Sequence, residues 1–261
     1  MERRFFFLPV FAVFCAVLLT PANAAVEKGH YLIYEGINTQ MTVLWQLDDT
    51  YTQLTPMTIS TDASDKPQSK VWTHDGLWWT VLPNSSGTFL WRLDGTRWTN
   101  ILKLSSYTDT RADVKVSGNV VHILLYRGIS SELVSAEYVS ATRAYQLWTE
   151  RSTTSSVQLD SGGETATLDI DSTGRMWVGF DTSSEIRVRY SDWPYSNWTA
   201  VPITIASGVN ADDICVVTAM PDASMGVLWS NQNARRFGFR VHTDGTDPTV
   251  WSDEATVRET C

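Results

Sequence analysis

Short apolar runs alternate with polar turns along most of the chain, and this pattern repeats about every 50 residues. Runs of four to eight residues with alternating apolar positions, bounded by Gly, Asn, Asp or Pro, predict β-strands joined by hairpins. The second copy predicts strands at 70–74, 77–82, 88–93 and 97–101. The next three copies predict strands at 114–116, 120–126, 133–139 and 145–148, at 165–170, 175–180, 186–190 and 197–203, and at 214–220, 225–229, 237–242 and 249–252. A tryptophan marks the last predicted strand of each of these copies: Trp98, Trp148, Trp198 and Trp251.

The first copy is incomplete, because His30 to Glu35 already resembles a second strand. A repeat of about 40 to 50 residues with four short strands is the signature of β-propeller blades. We therefore predict an all-β fold, a β-propeller of about five four-stranded blades. The missing inner strand of the first blade is expected from residues 255–261, which would close the ring; the alternative is a fragment of a longer, six-bladed propeller. The polar segment 151–163 is expected to be a mobile linker.

The N-terminus has the features of a secretory signal. Arg3 and Arg4 precede the apolar run 5–19, and the small residues Ala22 and Ala24 follow it. We predict a signal peptide at 1–24, a single propeller domain at 25–261, and a secreted or cell-surface protein, extracellular or periplasmic. An uncleaved anchor is the alternative, but the run is short of the roughly 20 residues that span a bilayer. No membrane insertion is expected after cleavage.

The formal net charge is -9, and no extended run of Lys or Arg occurs. Nucleic acid is therefore not an expected partner. The four histidines lack metal-ligand spacing, and no phosphate-binding glycine loop is present, so we predict no metal and no cofactor.

Because Cys15 would leave with the leader, Cys215 and Cys261 could form a disulfide. A buried thiol with a free C-terminal thiol is the alternative.

The turns between the third and fourth predicted strands share a chemistry in three copies, at 93–98, 190–198 and 243–251, where an Asp precedes a Trp. They resemble degenerate Asp boxes, the Ser-x-Asp-x-Gly-x-Thr-Trp turns of sialidase-like (BNR-repeat) propellers. The resemblance implies that the Asp caps local backbone N–H groups and that the Trp fixes the hairpin to the blade. Active sialidases also carry an arginine triad that begins in the first blade. Residues 25–60 contain no arginine, so sialidase chemistry is not expected.

Arginines on the predicted third strands share one parity and should face the cleft between adjacent blades. Propeller lectins bind sugars in such clefts with Arg and an aromatic ring, and this arrangement looks like theirs. Solvated or ion-paired arginines, and tryptophans used in packing, are the alternative. The predicted ligand-binding residues are Arg92, Arg189, Arg240, Trp91 and Trp193.

Acidic residues recur near the start of each predicted inner strand, among them Asp113, Glu164 and Asp212. If the chain is a glycosidase, these carboxylates are the candidate catalytic residues, because glycoside hydrolysis uses a pair of carboxyl groups. A solvated acidic rim is the alternative. The sequence favours a secreted carbohydrate-binding or adhesion propeller without catalysis, whose partners are glycans or glycoproteins. The first alternative is a glycoside hydrolase or sialidase-like enzyme, and the second is a protein-docking scaffold.

Overall fold

The computed structural model describes residues 30–34, 41–46, 54–62, 66 and 68–258, and their regular structure is entirely β. The predicted signal peptide at 1–24 and Cys261 lie outside the described residues. No helix in the described ranges is long and apolar enough to cross a membrane. The chain divides into two units, residues 1–53 and 54–261.

The first unit contains one antiparallel hairpin, formed by β1 (His30–Tyr34) and β2 (Met41–Gln46). Tyr31 pairs with Trp45 in its register. This hairpin corresponds to the second and third strands expected for the first copy of the repeat.

The second unit contains four antiparallel sheets, each of which follows the chain strand by strand. We call them the second to fifth blades, after the copies of the repeat. The second blade comprises β3 (Val71–His74), β4 (Leu77–Asn84), β5 (Gly87–Asp94) and β6 (Arg97–Ser105). The third comprises β7 (Arg111–Ser117), β8 (Val120–Tyr126), β9 (Ser131–Val139) and β10 (Ala144–Leu147), and β11 (Ser155–Val157) also pairs with β9. The fourth comprises β12 (Ala166–Ile170), β13 (Met176–Asp181), β14 (Glu185–Ser191) and β15 (Ile203–Ser207). The fifth comprises β16 (Cys215–Met220), β17 (Ser224–Asn231), β18 (Arg236–Thr243) and β19 (Ala255–Arg258).

Consecutive blades pack face to face, with their innermost strands adjacent: β7 contacts β12, and β12 contacts β16. Apolar side chains of each neighbouring pair of blades merge into one cluster. The fourth blade is covered on both faces by its neighbours, and every residue of its strand β13 is therefore buried. The fully buried rings of Trp79, Trp177 and Trp229 fill these interfaces. The predicted β-propeller fold of four-stranded blades is confirmed by this arrangement.

The repeat tryptophans occupy equivalent places after the third strand of each blade. Trp98 pairs with Leu93 across the hairpin, and the Trp148 N–H donates to Ser135 O at 3.0 Å. The residues after Trp198 and Trp251 make the same type of bond to their own third strands, from Thr199 N to Tyr190 O and from Ser252 N to Val241 O. The 50-residue spacing therefore places each tryptophan in the segment that follows a third strand, although only Trp98 lies within an outer strand.

The outer strands of the last two blades begin later than the sequence predicts. They start at Ile203 and Ala255, because the preceding turns contain Pro194 and Pro248 and lead the chain away from the third strand. The expectation that residues 255–261 close the ring is wrong for 255–258, since Ala255–Arg258 pairs with β18 as an outer strand.

The segment 151–163 is also more ordered than its polarity predicts. Arg151 is buried and donates hydrogen bonds to Leu133 O at 3.1 Å and to Ser135 Oγ at 2.7 Å. These bonds draw the segment against the third blade, where β11 adds to the sheet. The predicted mobile linker is therefore a fixed part of this blade.

Candidate functional site

A polar cavity of about 490 Å3 lies where the inner strands of the described blades begin. Arg111 opens β7 and Glu164 precedes β12, while Tyr126 closes β8. These elements come from consecutive blades, so the blade stacking itself creates the cavity. We call it the rim cavity and define it by its charged and aromatic lining: Lys66, Asp109, Arg111, Tyr126, Arg127 and Glu164.

Each carboxylate of the rim cavity is ion-paired. Arg127 Nε donates to Asp109 Oδ1 at 2.6 Å, and Lys66 Nζ pairs with the Glu164 carboxylate. Arg111 Nη1 donates to the backbone oxygen of Glu164 at 3.2 Å. The pairs fix both carboxylates, while about half of the Asp109 side chain and a third of the Glu164 side chain stay exposed to a ligand.

The buried carboxylate of Asp181 holds the backbone at Glu164. Asp181 accepts the Glu164 N–H at 2.7 Å and the Thr165 N–H at 3.0 Å. Burial raises the pKa of Asp181 to about 6. Gly163 makes this close approach possible, because a Cβ there would stand 2.3 Å from the Asp181 backbone oxygen. Tyr126 donates its hydroxyl to Gly163 O at 2.6 Å, and burial raises its pKa to about 12, so it remains a neutral phenol.

Of the three predicted catalytic carboxylates, only Glu164 lines the rim cavity. Asp113 is buried in β7, where it accepts the Ser69 N–H at 2.6 Å and the Leu168 N–H at 2.7 Å. Burial raises its pKa to about 7. Asp212 is exposed, and its own N–H donates to Asn210 Oδ1 at 3.2 Å.

The predicted cleft arginines occupy three different environments. Arg92 does lie between the second and third blades, where Nε donates to Asp94 Oδ1 and Nη1 to Arg143 O, each at 2.7 Å. The bond to Asp94 raises the pKa of Arg92. Arg189 is buried and donates to Thr199 O and, at 2.9 Å, to Ala200 O.

Arg240 is half-buried, and its Nε has no hydrogen-bond partner within the described ranges. The two predicted aromatic ligands also differ. Trp91 is buried with Nε1 donating to Leu82 O at 2.9 Å, whereas Trp193 is 59% exposed. The binding of glycans by these arginines and tryptophans stays a prediction.

Two of the recurrent aspartates, Asp192 and Asp244, do not cap their own turns as the Asp-box resemblance implies, whereas Asp247 in the turn 243–251 accepts the Thr249 N–H at 2.9 Å. Asp192 accepts Arg175 Nε at 2.8 Å, and Asp244 accepts the Ser172 N–H of the neighbouring blade at 2.9 Å. Other N–H groups of these turns donate to backbone oxygens, for example Tyr195 N to Asp192 O. The Asp-box relationship stays a prediction.

Cys215 is buried, and burial raises the pKa of its thiol. Because Cys261 lies outside the described residues, the predicted disulfide stays a prediction. Within the described part of the chain, no group of three or more His, Cys, Asp or Glu side chains could hold a metal ion.

Sequence reasoning missed Asp109, Arg111 and Arg127 as members of a site. The pattern that recurs at the starts of the inner strands is acidic, whereas the rim cavity combines both charges. Asp109 and Arg111 stand at the beginning of the third blade's inner strand, where Glu164 stands in the fourth. Charges of either sign at this blade position would indicate Asp109 and Arg111, whereas Arg127 follows the second strand, β8, and has no such signal.

The described blades define the class of the chain, a β-propeller. No protein-family model matches it, and no curated protein matches it. Among solved structures it is similar to a GH43 endo-arabinanase from Bacillus licheniformis, with 13% identity, a TM-score of 0.45, and coverage of 73% of this chain and 77% of that one. It is also similar to an endo-arabinase from Bacteroides thetaiotaomicron, with 13% identity, a TM-score of 0.42, and coverage of 78% and 85%. A third structure is a polysaccharide lyase, with 8% identity, a TM-score of 0.43, and coverage of 80% of this chain and 58% of the lyase.

Proposed function

We propose that the chain is a glycan-active β-propeller that binds a carbohydrate in the rim cavity and hydrolyses it. The two carboxylates would be Asp109 and Glu164. The observation that carries this proposal is that these carboxylates, from consecutive blades, line one open cavity. Enzymatic activity, which the sequence suggests as an alternative, is therefore the first candidate function.

The chemistry of glycoside cleavage fits a site of this composition. Retaining and inverting glycosidases place two carboxyl groups on either side of the scissile bond, one as acid and one as base or nucleophile. The cavity volume falls within the range of about 300 to 1,000 Å3 typical of small-molecule sites. Lys66, Arg111 and Arg127 supply donors that suit sugar hydroxyls. The predicted secretion would expose such a protein to extracellular polysaccharides.

The test is whether the purified chain hydrolyses a panel of aryl-glycosides and polysaccharides, with hydrolysis measured by the release of reducing ends. We expect turnover by the wild type and its loss, by at least about 100-fold, in Glu164→Gln and in Asp109→Asn, since a general acid or base contributes about that much. Glu150→Gln and Asp253→Asn are matched controls, because both residues are exposed and neither lines the cavity.

Non-catalytic glycan binding is the second candidate, and the ion pairing of both carboxylates favours it. Arg127 and Lys66 hold Asp109 and Glu164 as fixed hydrogen-bond acceptors, an arrangement that suits sugar hydroxyls without bond cleavage. Binding without turnover, weakened by Glu164→Gln, would select this candidate. A wild type that neither binds nor cleaves any glycan would reject both and favour the protein-docking alternative.

A further inference from the structure

We propose that the turn between β14 and β15 carries a second carbohydrate site, one that takes a neutral pyranose unit with Trp193 as the stacking platform. The turn encloses a cavity of about 360 Å3. We call it the Trp193 site and define it by its aromatic and polar lining: Asp192, Trp193, Ser196, Asn197, Trp198 and Thr199. It shares no residue with the rim cavity, so it stands independently of the proposed hydrolysis.

The backbone of this turn is held at several points. Tyr195 donates its hydroxyl to Gly174 O at 2.9 Å, and Arg151 Nε donates to Pro194 O at 3.1 Å. Ser191 Oγ donates to Asn197 O at 2.6 Å. A ligand that binds here therefore meets a preformed surface and incurs little ordering cost.

The turn nevertheless leaves one of its two tryptophans largely in solvent. Trp193 is 59% exposed, whereas Trp148, against which it rests, is only 6% exposed. The two ring centroids are 6.2 Å apart at an interplanar angle of 83°, so Trp148 supports the indole by an edge-to-face contact. An indole that is fixed but uncovered can stack on the C–H face of a sugar without first rearranging.

Polar groups beside the ring complete the chemistry of a sugar site. The side chains of Ser196 and Asn197 make no hydrogen bond to another described residue. Asn197 offers two donors and an acceptor. Both oxygens of Asp192 accept from Arg175, at 2.8 Å from Nε and 3.3 Å from Nη2, and their remaining lone pairs can accept from vicinal hydroxyls. The one carboxylate of the lining, Asp192, is paired with Arg175, and no other charged side chain lies among the described lining residues, so the site has no net charge. A neutral sugar is therefore favoured over a uronate or a sulfated sugar.

The test measures binding by calorimetry of four neutral oligosaccharides, cellohexaose, xylohexaose, galactotetraose and chitohexaose, and of polygalacturonate as an anionic probe. Every protein carries Glu164→Gln, so that cleavage at the rim cavity does not consume the probe. A host without N-glycosylation is used, because Asn197, Trp198 and Thr199 form an acceptor sequence. We expect one neutral probe to bind, Trp193→Ala to weaken it by at least about tenfold, and Trp193→Phe to retain part of the affinity.

Trp78→Ala is the matched control, because Trp78 is 52% exposed on another blade and does not line the Trp193 site. We expect it to leave binding unchanged, and near-UV circular dichroism reports whether each variant is folded. Three results would overturn the proposal: no neutral probe binds, a folded Trp193→Ala binds as the parent does, or polygalacturonate depends on Trp193 as strongly as the neutral probes do. Failure of hydrolysis with Trp193-dependent binding would reject the proposed function and leave this site in place.

Discussion

Replacing Asp113 by alanine should weaken the propeller itself, because this carboxylate joins three blades. It lies in β7 of the third blade and is only 5% exposed. Its two oxygens accept the Ser69 N–H, just before β3 of the second blade, and the Leu168 N–H in β12 of the fourth. Alanine leaves both N–H groups without an acceptor.

The expected loss follows from those two bonds. A buried donor left unpaired costs about 1 to 3 kcal/mol. The Leu168 N–H is such a donor, whereas water can reach the N–H of the exposed Ser69, so Asp113→Ala should lower the free energy of unfolding by about 1 to 3 kcal/mol. Asp113→Asn keeps one acceptor oxygen and turns an amide donor towards the other N–H. Its loss should therefore be about half as large.

The pH dependence gives a second, independent measure. Burial raises the pKa of Asp113 to about 7, from an ordinary value of 3.8. Between these values the folded chain binds the proton more tightly than the unfolded chain does. The resulting stabilisation is therefore complete below about pH 4 and is lost as the pH rises through about 7, at up to about 1.4 kcal/mol per pH unit.

The assay is urea unfolding at pH 5 and pH 8, followed by the fluorescence of the 12 tryptophans. The stability advantage of the wild type over Asp113→Asn should be larger at pH 5 than at pH 8. The control Asp212→Ala, at an exposed position, should change the free energy of unfolding by less than about 0.5 kcal/mol. A loss below about 1 kcal/mol in Asp113→Ala at pH 5, or the opposite pH trend, would refute the idea that the buried Asp113 links the blades. Loss of hydrolysis with unchanged stability would return Asp113 to the catalytic candidates.

Three further perturbations test other parts of the structure. Trp148→Ala removes a buried ring between the third and fourth blades and should cost about 3 to 5 kcal/mol in urea unfolding. Gly238→Ala should lower the melting temperature, because the new Cβ would stand 2.2 Å from the ring of Trp229; a melting temperature equal to that of the wild type would show that this ring has room to move. Arg189→Ala should also lower the melting temperature, since its guanidinium is buried on backbone oxygens, whereas Arg240→Ala should leave it nearly unchanged and weaken glycan binding on an array if the cleft prediction is right.

The strands of the inner part of each blade could be predicted from the sequence because their signals are local. Alternating apolar residues and turn pairs such as Asp75-Gly76 place β3 and β4 within a residue or two. The outer strands were harder to place. Trp198 and Trp251 pack beside their hairpins in irregular backbone. Each of these apolar residues predicts an outer strand at its own position, but the strand begins several residues later.

The site could be predicted only in part, because its members act in pairs across blades. Glu164 was found as a recurrent acid, but its partner Lys66 belongs to the start of another blade, and single-residue patterns do not report such pairs. Arg189 is the converse case. Its parity on the third strand predicts a sheet face, but parity does not reveal that its guanidinium donates to the backbone oxygens of Thr199 and Ala200.

The hydrogen-bonding needs of the inner strands explain why acidic residues recur at the positions where the sequence suggests catalytic carboxylates. An inner strand is a sheet edge with unpaired N–H groups, and such edges need partners. Side chains of one blade supply them to the next: Asp113 accepts from Leu168, Thr167 Oγ1 from Val217 N at 2.9 Å, and Asp169 Oδ2 from Ala219 N at 2.8 Å. Oxygen-bearing residues therefore recur within these strands because each blade caps the edge of its neighbour. The carboxylates that remain open to a ligand are those in the segments just before the strands, which is where Asp109 and Glu164 stand.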